Sequence, residues 1–153
     1  MKTITVIILI SISLIIPVLA QPSEQHETAI RQKIRFAPLH IYLDTGGREL
    51  AAYQFELKAT AGQVKIVGIE NGEHPAFKEP PYYDPAAMAN DRIIIAAFST
   101  DKNLPKGRTR ITSIQLQIIG DAEPQYELEL TIAADANGNE IPAKITLEKG
   151  EQK

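Results

Sequence analysis

The amino-acid sequence predicts an all-β protein that folds as a two-sheet antiparallel β-sandwich. At least seven short segments between residues 39 and 148 are rich in apolar residues, and in most of them these residues recur at every second position. This is the period of a strand with one buried face. Turn residues separate these segments at short intervals, and no segment after residue 20 keeps a helical period beyond a turn or two. Packed into about 115 residues, such strands indicate two sheets around a common core.

The first 20 residues have the pattern of a secretory signal peptide. Lys2 precedes an apolar run from residue 4 to residue 16, and Val18 and Ala20 occupy the two positions that a signal peptidase reads. The alternative is an uncleaved membrane anchor, but the run is shorter than the ~20 residues of a spanning helix. We therefore expect a secreted or periplasmic protein.

After cleavage, the chain consists of a flexible polar leader over residues 21–37 and a single domain over residues 38–150. The sequence contains no cysteine, so core packing or a bound ion must hold the exported fold without disulfides. The formal charge of −3 becomes −4 without Lys2, and no basic run occurs. This balance argues against nucleic acid and against an anionic membrane surface as partners.

The first strand is predicted from residue 39, where Leu39, Ile41 and Leu43 point to one side. Residues 44–47, DTGG, mark a tight turn after it. The second strand, within residues 49–59, shows the clearest alternation, with glutamine, glutamate and lysine on its polar face. The residues of its apolar face are Ala51, Tyr53, Phe55, Leu57 and Ala59.

The third strand covers residues 62–70, where Gly68 predicts a bulge or a bend. A long loop follows over residues 74–92. The next segment, RIIIAAFS at residues 92–99, is apolar on both faces, which is typical of a central strand covered on each side.

Three further strands follow a loop over residues 101–108 and cover residues 111–119, 126–134 and 141–148. The pair Asn137-Gly138 predicts a type I′ hairpin turn between the last two strands. The predicted inward residues of these strands are Ile114, Leu116, Ile118, Leu128, Leu130, Ile132, Ala134, Ile141, Ala143, Ile145 and Leu147.

Three stretches together cover roughly residues 38 to 150 and follow a recognisable order of strands and loops. They are IYLDTGGRELAAYQFELKATAGQVKIVGIENGEHPAF, RIIIAAFSTDKNLPKGRTRITSIQLQIIG and LTIAADANGNEIPAKITLEKG. In this order they resemble the cohesin-like family, together with the related carbohydrate-binding sandwich modules of secreted polysaccharide-degrading systems. The resemblance implies a nine-stranded jelly-roll sandwich without enzymatic activity, which binds a protein module or a polysaccharide. The free-standing module and its proline-rich loop depart from that family.

The loop over residues 74–92 holds four of the ten prolines and two of the five tyrosines. Proline fixes φ and removes a hydrogen-bond donor, so the loop is pre-organised and cannot be a sheet interior. Phe77, Tyr82 and Tyr83 are therefore candidate ligand-binding residues, because rings on a stiff loop lose little entropy on binding. The alternative is that these three rings fold back and cap one open end of the sandwich.

Carboxylates flank the same loop. Glu70, Glu73, Asp84 and Asp91 are candidate calcium ligands, since clustered oxygens suit this ion. Their spacing matches no recognised calcium motif, and solvated side chains are the alternative. Residues 135–140, DANGNE, alternate like an EF-hand loop but lack its glycine and its terminal glutamate, so the hairpin turn explains them. No other cofactor is expected.

The sequence offers little for catalysis. The three histidines are scattered, no serine stands in a nucleophile elbow, and a carboxylate pair such as Glu73 with Asp84 is available on any acidic loop. A further candidate surface is a flat polar platform on the outward sheet faces, for which a solvated face is the alternative. The residues of this platform are Gln115, Gln117, Glu127, Glu129 and Thr131.

The sequence thus predicts a secreted, non-catalytic binding module of cohesin-like type, with a polysaccharide or an extracellular protein module as its partner. The alternative from a different class is a structural subunit whose exposed strand edges pair with a neighbour. A glycoside hydrolase is the third hypothesis.

Overall fold

The computed structural model describes residues 33–151, and these form a sandwich of two four-stranded antiparallel sheets. The predicted fold class is therefore confirmed. The strands are β1 (Ile34–Glu49), β2 (Ala52–Ala61), β3 (Gln63–Glu70), β4 (Tyr82–Tyr83), β5 (Arg92–Phe98), β6 (Lys106–Ile119), β7 (Gln125–Ala134) and β8 (Lys144–Lys149). Two short 3₁₀ helices, Pro75–Phe77 and Pro85–Ala87, lie in the long loop.

The first sheet, called sheet A below, has the strand order β3-β6-β1-β8, and the second, sheet B, has the order β4-β5-β2-β7. Residues 33–151 thus contain eight strands, where the family resemblance implies nine. No helix among these residues is long and apolar enough to cross a membrane.

The core lies between the two sheets and is filled by the apolar faces that the alternation predicts. Ile41 and Leu43 of β1, Phe55 of β2 and Ile114 of β6 are completely buried. Tyr53 of β2 is also buried, and its hydroxyl donates a hydrogen bond across the core to the carbonyl of Ile111 on β6, at 3.0 Å. Desolvation raises the pKa of Tyr53. This polar contact therefore joins the two sheets across the core.

The first strand begins earlier than predicted. β1 starts at Ile34, and Ala37 is already buried, so part of the predicted leader over residues 21–37 belongs to the domain. Pro38 does not interrupt β1, because it lies beyond the stretch of β1 that pairs with β8. Its missing N–H therefore costs no bond to that strand. The predicted signal peptide and residues 21–32 of the leader lie outside the described residues.

Two predicted irregularities have different outcomes. The register between β3 and β6 shifts between Ile66 and Gly68, which confirms the bulge predicted at Gly68. The predicted tight turn at residues 44–47 lies inside β1, where residues 45–48 stand opposite the single residue Gly107 before pairing with β6 resumes at Glu49. β1 and β2 lie in different sheets, so the glycines bend a strand and do not close a hairpin.

The chain reverses at residues 135–140 as predicted, since Ala134 and Glu140 form an antiparallel bridge and the N–H of Ile141 donates to the carbonyl of Ala133 at 2.8 Å. The predicted pairing of the last two strands is wrong, because β7 belongs to sheet B and β8 to sheet A. Gly138 has a φ of 80°, but the only non-glycine residue with positive φ among those described is Ala89, which excludes a type I′ turn at Asn137. The carboxylate of Asp135 accepts hydrogen bonds from the backbone N–H groups of Asn137 and Asn139, each at 2.9 Å. The turn carries the chain from one sheet to the other.

The prediction that β5 is covered on both faces is also wrong. Ile93 and Ile95 are buried, but Ile94 is 46% exposed and Phe98 is 64% exposed. The only strand beyond β5 is β4, which has two residues. β5 therefore lies almost at the edge of sheet B, with one apolar face towards solvent.

Candidate functional site

The loop between β3 and β5 contains two similar 3₁₀ turns. In the first, His74 precedes Pro75, and its ring Nδ1 accepts a hydrogen bond from the backbone N–H of Ala76 at 3.2 Å. In the second, Asp84 precedes Pro85, and its Oδ1 accepts from the N–H of Ala86 at 2.9 Å. Proline suits the first position of such a turn, since no N–H is needed there. Both turns are therefore capped locally.

The start of the loop is bonded to β6. The backbone N–H of Glu73 donates to the carbonyl of Arg110 at 3.0 Å, and Glu73 Oε1 accepts from the N–H of Arg110 at 2.8 Å. A Cβ atom on Gly72 would lie 2.9 Å from the carbonyl oxygen of Ile111. Only glycine allows so close an approach, and the loop is thereby fixed against sheet A.

Between the two turns, Tyr82 and Tyr83 form β4 and pair with Ala96 and Ile95 of β5. Prolines stand on both sides of this strand, at positions 80, 81 and 85. Because proline cannot donate to a ladder, they end the pairing after two residues. The prolines thus hold one short strand at the edge of sheet B.

The three aromatic residues predicted as ligand contacts have three different environments. Phe77 is 4% exposed and packs edge-on against Tyr53 in the core, with ring centroids 5.2 Å apart. Phe77 is therefore a core residue, and its assignment as a ligand contact is corrected. Tyr83 is half-buried against the same core. Only Tyr82 points outward, with 66% of its surface exposed.

Sequence reasoning missed the residue that accompanies Tyr82. The ring of Phe98, at the end of β5, stacks on Tyr82 with a centroid separation of 6.0 Å and an interplanar angle of 9°. Ile94 lies on the same side of β5, four residues earlier. The sequence carried no signal for this exposure, since Ile94, Ala96 and Phe98 alternate with the equally apolar Ile93, Ile95 and Ala97.

A fourth exposed residue comes from β7, where the predicted inward direction of Ile132 is wrong. The register between β2 and β7 shifts between Gln54 and Phe55, so that Thr131 is an extra residue. This bulge turns Ile132 outward, where it is 42% exposed. The four residues Tyr82, Ile94, Phe98 and Ile132 are called the aromatic face below.

An open groove of about 280 Å³ borders the aromatic face. Tyr82 and Phe98 form part of its lining, and Pro75 and Pro80 stiffen another part. Its polar lining residues are Lys78, Glu79, Ser99, Thr100 and Asp101. The groove therefore offers hydrogen-bonding groups of both charges beside two exposed rings.

An ion pair lies on the same outer face of sheet B. Arg92 of β5 donates two hydrogen bonds to the carboxylate of Glu56 on β2, both at 2.7 Å. The hydrogen bond from Arg92 lowers the pKa of Glu56. This bidentate geometry fixes both side chains, so the charged part of the face has a defined position.

The carboxylates proposed as calcium ligands do not form one site. Glu70 accepts a hydrogen bond from the side-chain amide of Gln115 at 2.8 Å, while Glu73 and Asp84 accept from backbone groups in separate places. Asp91 is exposed in the bend before β5. Residues 33–151 contain no group of three or more acidic, histidine or cysteine side chains arranged for a metal ion.

The polar platform predicted from five residues is divided between the two sheets. Gln115 and Gln117 belong to β6 in sheet A, whereas Glu127, Glu129 and Thr131 belong to β7 in sheet B. These residues therefore do not share one surface.

The outer face of sheet A carries a different polar set. His40 Nδ1 and Arg110 Nη1 both lie 2.8 Å from the hydroxyl oxygen of the buried Ser113. The guanidinium of Arg108 lies over the ring of Tyr42, 3.7 Å from its centroid. Arg108 also donates to Glu148 at 2.6 Å. These side chains bond to one another across the sheet, and we call them the polar face.

Comparisons of the chain with protein-family models, with curated proteins and with solved structures found no match.

Proposed function

We propose that this protein is an exported, non-catalytic binding module of the cohesin-like type, with the aromatic face as its contact surface. Its partner in this proposal is a polysaccharide, or a protein module of an extracellular polysaccharide-related system. The observation that carries the proposal is the parallel pair of Tyr82 and Phe98, both about two-thirds exposed.

Exposed aromatic rings favour contact with a ligand because water leaves a large apolar surface when they are covered. A parallel pair presents ring faces in one orientation, which suits the flat apolar face of a sugar ring as well as an apolar side chain. Both rings are held by sheet B, since Tyr82 lies in β4 and Phe98 in β5. Because the rings are already held in place, binding costs little side-chain entropy, which favours a higher affinity.

The groove beside the rings supports the same proposal. Sugar hydroxyls need donors and acceptors close to the stacking surface, and Lys78, Glu79 and Asp101 supply both at the groove wall. The predicted signal peptide favours a compartment in which polysaccharides occur. The module needs no reacting group, because binding alone requires only a complementary surface.

Affinity electrophoresis through gels that contain different polysaccharides, with and without calcium, tests the proposal. The variants Tyr82→Ala and Phe98→Ala should each lose the retardation, because each removes one ring of the pair. The matched control is Tyr42→Ala, which removes an aromatic ring from the polar face of sheet A. Retardation that Tyr42→Ala loses equally, or that both aromatic-face variants keep, contradicts the aromatic face as the contact surface.

A protein partner is tested with the same three variants, by titrating purified extracellular modules and measuring the heat of binding. A partner whose affinity depends on Phe98 but not on Tyr42 supports the protein alternative. If neither polysaccharide nor protein binding depends on Tyr82 or Phe98, the proposed function is wrong.

A further inference from the structure

The two sheets have four edges, and three of them are protected against pairing with another chain. β3 forms the first edge, and its bulge at Val67 interrupts the ladder. The backbone of Ile66 is already bonded on its outer side, since its N–H donates to Asn90 and its carbonyl accepts from Ala89, at 2.9 and 2.8 Å. Bulges and covering loops are common devices that prevent edge pairing.

The edge of sheet B beyond β5 is covered by β4 and its flanking prolines. The opposite edge, β7, carries Glu127 and Glu129 on its outer face. If β7 paired with β7 of a second copy around Leu128, Glu127 would face Glu129 of the partner subunit. Like charges directly opposite each other destabilise a strand pair, so charge disfavours this register, and the bulge at Thr131 interrupts the strand.

The fourth edge, β8, is uncovered within residues 33–151, and its charged residues Lys144, Glu148 and Lys149 are of both signs. No strand among residues 33–151 pairs with its outer side, and it contains neither a proline nor a bulge. Its inward residues Ile145 and Leu147 are only half-buried. Tyr126, Leu128 and Leu130 of β7 are half-buried as well, because the sandwich is open between the edges of its two sheets.

The hydrogen-bonding direction of β8 follows from one contact. The N–H of Gly150 donates to the carbonyl of Pro38, which precedes the β1 stretch that pairs with β8, so residue 150 directs its backbone groups towards β1. Backbone groups alternate along an antiparallel strand. Lys144, Thr146 and Glu148 therefore bond towards β1, and Ile145 and Leu147 direct their N–H and C=O groups to the free edge.

We propose that a second copy of this chain pairs with this edge, β8 against β8, around a two-fold axis at Thr146. In this register, Ile145 bonds to Leu147 of the partner subunit through the free backbone groups. On the outer side, Lys144 faces Glu148 of the partner subunit, and the symmetry makes this pair twice. The two sheets A then form one continuous eight-stranded sheet.

Charge complementarity selects this register. Moving the axis to Ile145 places Lys144 opposite Thr146 of the partner subunit, and moving it to Leu147 places Lys144 opposite Gly150 of the partner subunit. Only the register at Thr146 sets opposite charges directly across from each other, the arrangement that stabilises strand pairs. Arg108 holds Oε1 of Glu148 at 2.6 Å, and Lys144 forms no ion pair with any residue of the described range.

Disulfide formation at Thr146 gives the sharpest test. Opposite residues in a non-hydrogen-bonded pair have Cα atoms about 4.5 Å apart, within the range of a disulfide, and the chain contains no other cysteine. The variant Thr146→Cys is expressed as the full chain, so that the cell processes its N-terminus as it does in the unmodified protein. We expect this variant to form a covalent dimer on mild oxidation. The matched control Thr131→Cys places an exposed cysteine on β7 and should remain monomeric.

Charge reversal tests the same register without a covalent bond. In sedimentation velocity over a range of concentrations, we expect the unmodified protein to shift from monomer to dimer. Lys144→Glu sets glutamates opposite each other twice, and should weaken the dimer about tenfold. The double variant Lys144→Glu/Glu148→Lys restores opposite charges across the axis and should recover dimerisation, although it places like charges beside Asp44 and Arg108 within each copy.

Each combination of results either supports the β8 dimer or contradicts it. Selective crosslinking at position 146, with weakening by Lys144→Glu and recovery in the double variant, supports the proposal. A monomer at all concentrations overturns it, as does equal crosslinking at positions 131 and 146. A dimer that is indifferent to both charge variants also overturns it, because another surface must then form the contact. Ligand binding by the aromatic face does not enter any of these readouts.

Discussion

The outer faces of the two sheets differ in what their side chains contact. On sheet A, His40, Ser113 and Arg110 share hydrogen bonds, and Arg108 lies between Tyr42 and Glu148. On sheet B, Tyr82 and Phe98 contact each other but leave about two-thirds of their surface to water. Exposed polar groups already form hydrogen bonds with one another or with water, so covering them gains little free energy. Covering an exposed ring removes apolar surface from water and is therefore favourable. A binding surface is therefore better sought on the less polar of the two faces.

The two faces should also differ in what they contribute to the protein. The polar face should contribute to the free energy of unfolding through its buried members, while the aromatic face should contribute to affinity and little to stability. Three substitutions test this division, beginning with the largest expected effect.

Phe77→Ala removes the residue that anchors the loop of the aromatic face in the core. We expect a loss of about 3–5 kcal/mol in the free energy of unfolding, because a large buried aromatic side chain leaves a cavity. Urea unfolding followed by circular dichroism measures this loss. The control Tyr82→Ala, in the same loop but 66% exposed, should change stability by no more than about 1 kcal/mol. Equal losses in the two variants would mean that Tyr82 is not a free surface residue.

Ser113→Ala probes the polar face, where the hydroxyl oxygen contacts both His40 and Arg110 at 2.8 Å. We expect a loss of about 1–2 kcal/mol, since two partners of a completely buried hydroxyl lose their bond. Ligand affinity should stay unchanged in this variant. Phe98→Ala should show the opposite pattern, with a smaller loss of stability and lost affinity. The division between the faces fails if Ser113→Ala weakens ligand binding as strongly as Phe98→Ala does.

Glu56→Gln gives the smallest expected effect and concerns the ion pair beside the aromatic face. The hydrogen bond from Arg92 lowers the pKa of Glu56 below its ordinary value of 4.5. A lowered pKa in the folded state contributes stability above the unfolded pKa, and this contribution is lost as the pH falls through the folded pKa. The melting temperature of Glu56→Gln should therefore fall slightly less than that of the unmodified protein between pH 7 and about pH 3. An identical acid response in both proteins would show that the pair adds nothing to stability.

The sequence predicted the strands whose period is unbroken. The apolar positions Tyr53, Phe55, Leu57 and Ala59 of β2 all face the core, and so do Ile114, Leu116 and Ile118 of β6. Ala51, which precedes β2, is also buried. Such alternation is a local property, so it can be read without knowing which strands are neighbours. Gly68 could be predicted as well, because a glycine inside a strand has few other causes than a bulge or a close approach.

What the sequence did not predict depends on neighbours distant in the chain. Two residues are too few to show a period, so β4 could not be predicted from the sequence. Without β4, neither the position of β5 near the edge of sheet B nor the exposure of Phe98 could be predicted. The bulge at Thr131 arises from the register with β2, and it alone decides that Ile132 points outward. Tyr82 could be predicted because proline chemistry is local, whereas its stacking partner Phe98 belongs to a strand whose sequence is apolar on both faces.

The pairing of β1 has a consequence for the order of events during synthesis. Leu39 pairs with Ile114 on one side and with Lys149 on the other. This central strand therefore cannot form its hydrogen bonds until residues more than seventy positions later have been synthesised. Among the ladders of residues 33–151, only that between β4 and β5 joins consecutive strands. Such non-local topologies fold slowly. Sheet A cannot be completed until β8 has emerged, so the sandwich stays incomplete while residues 34–143 are being made.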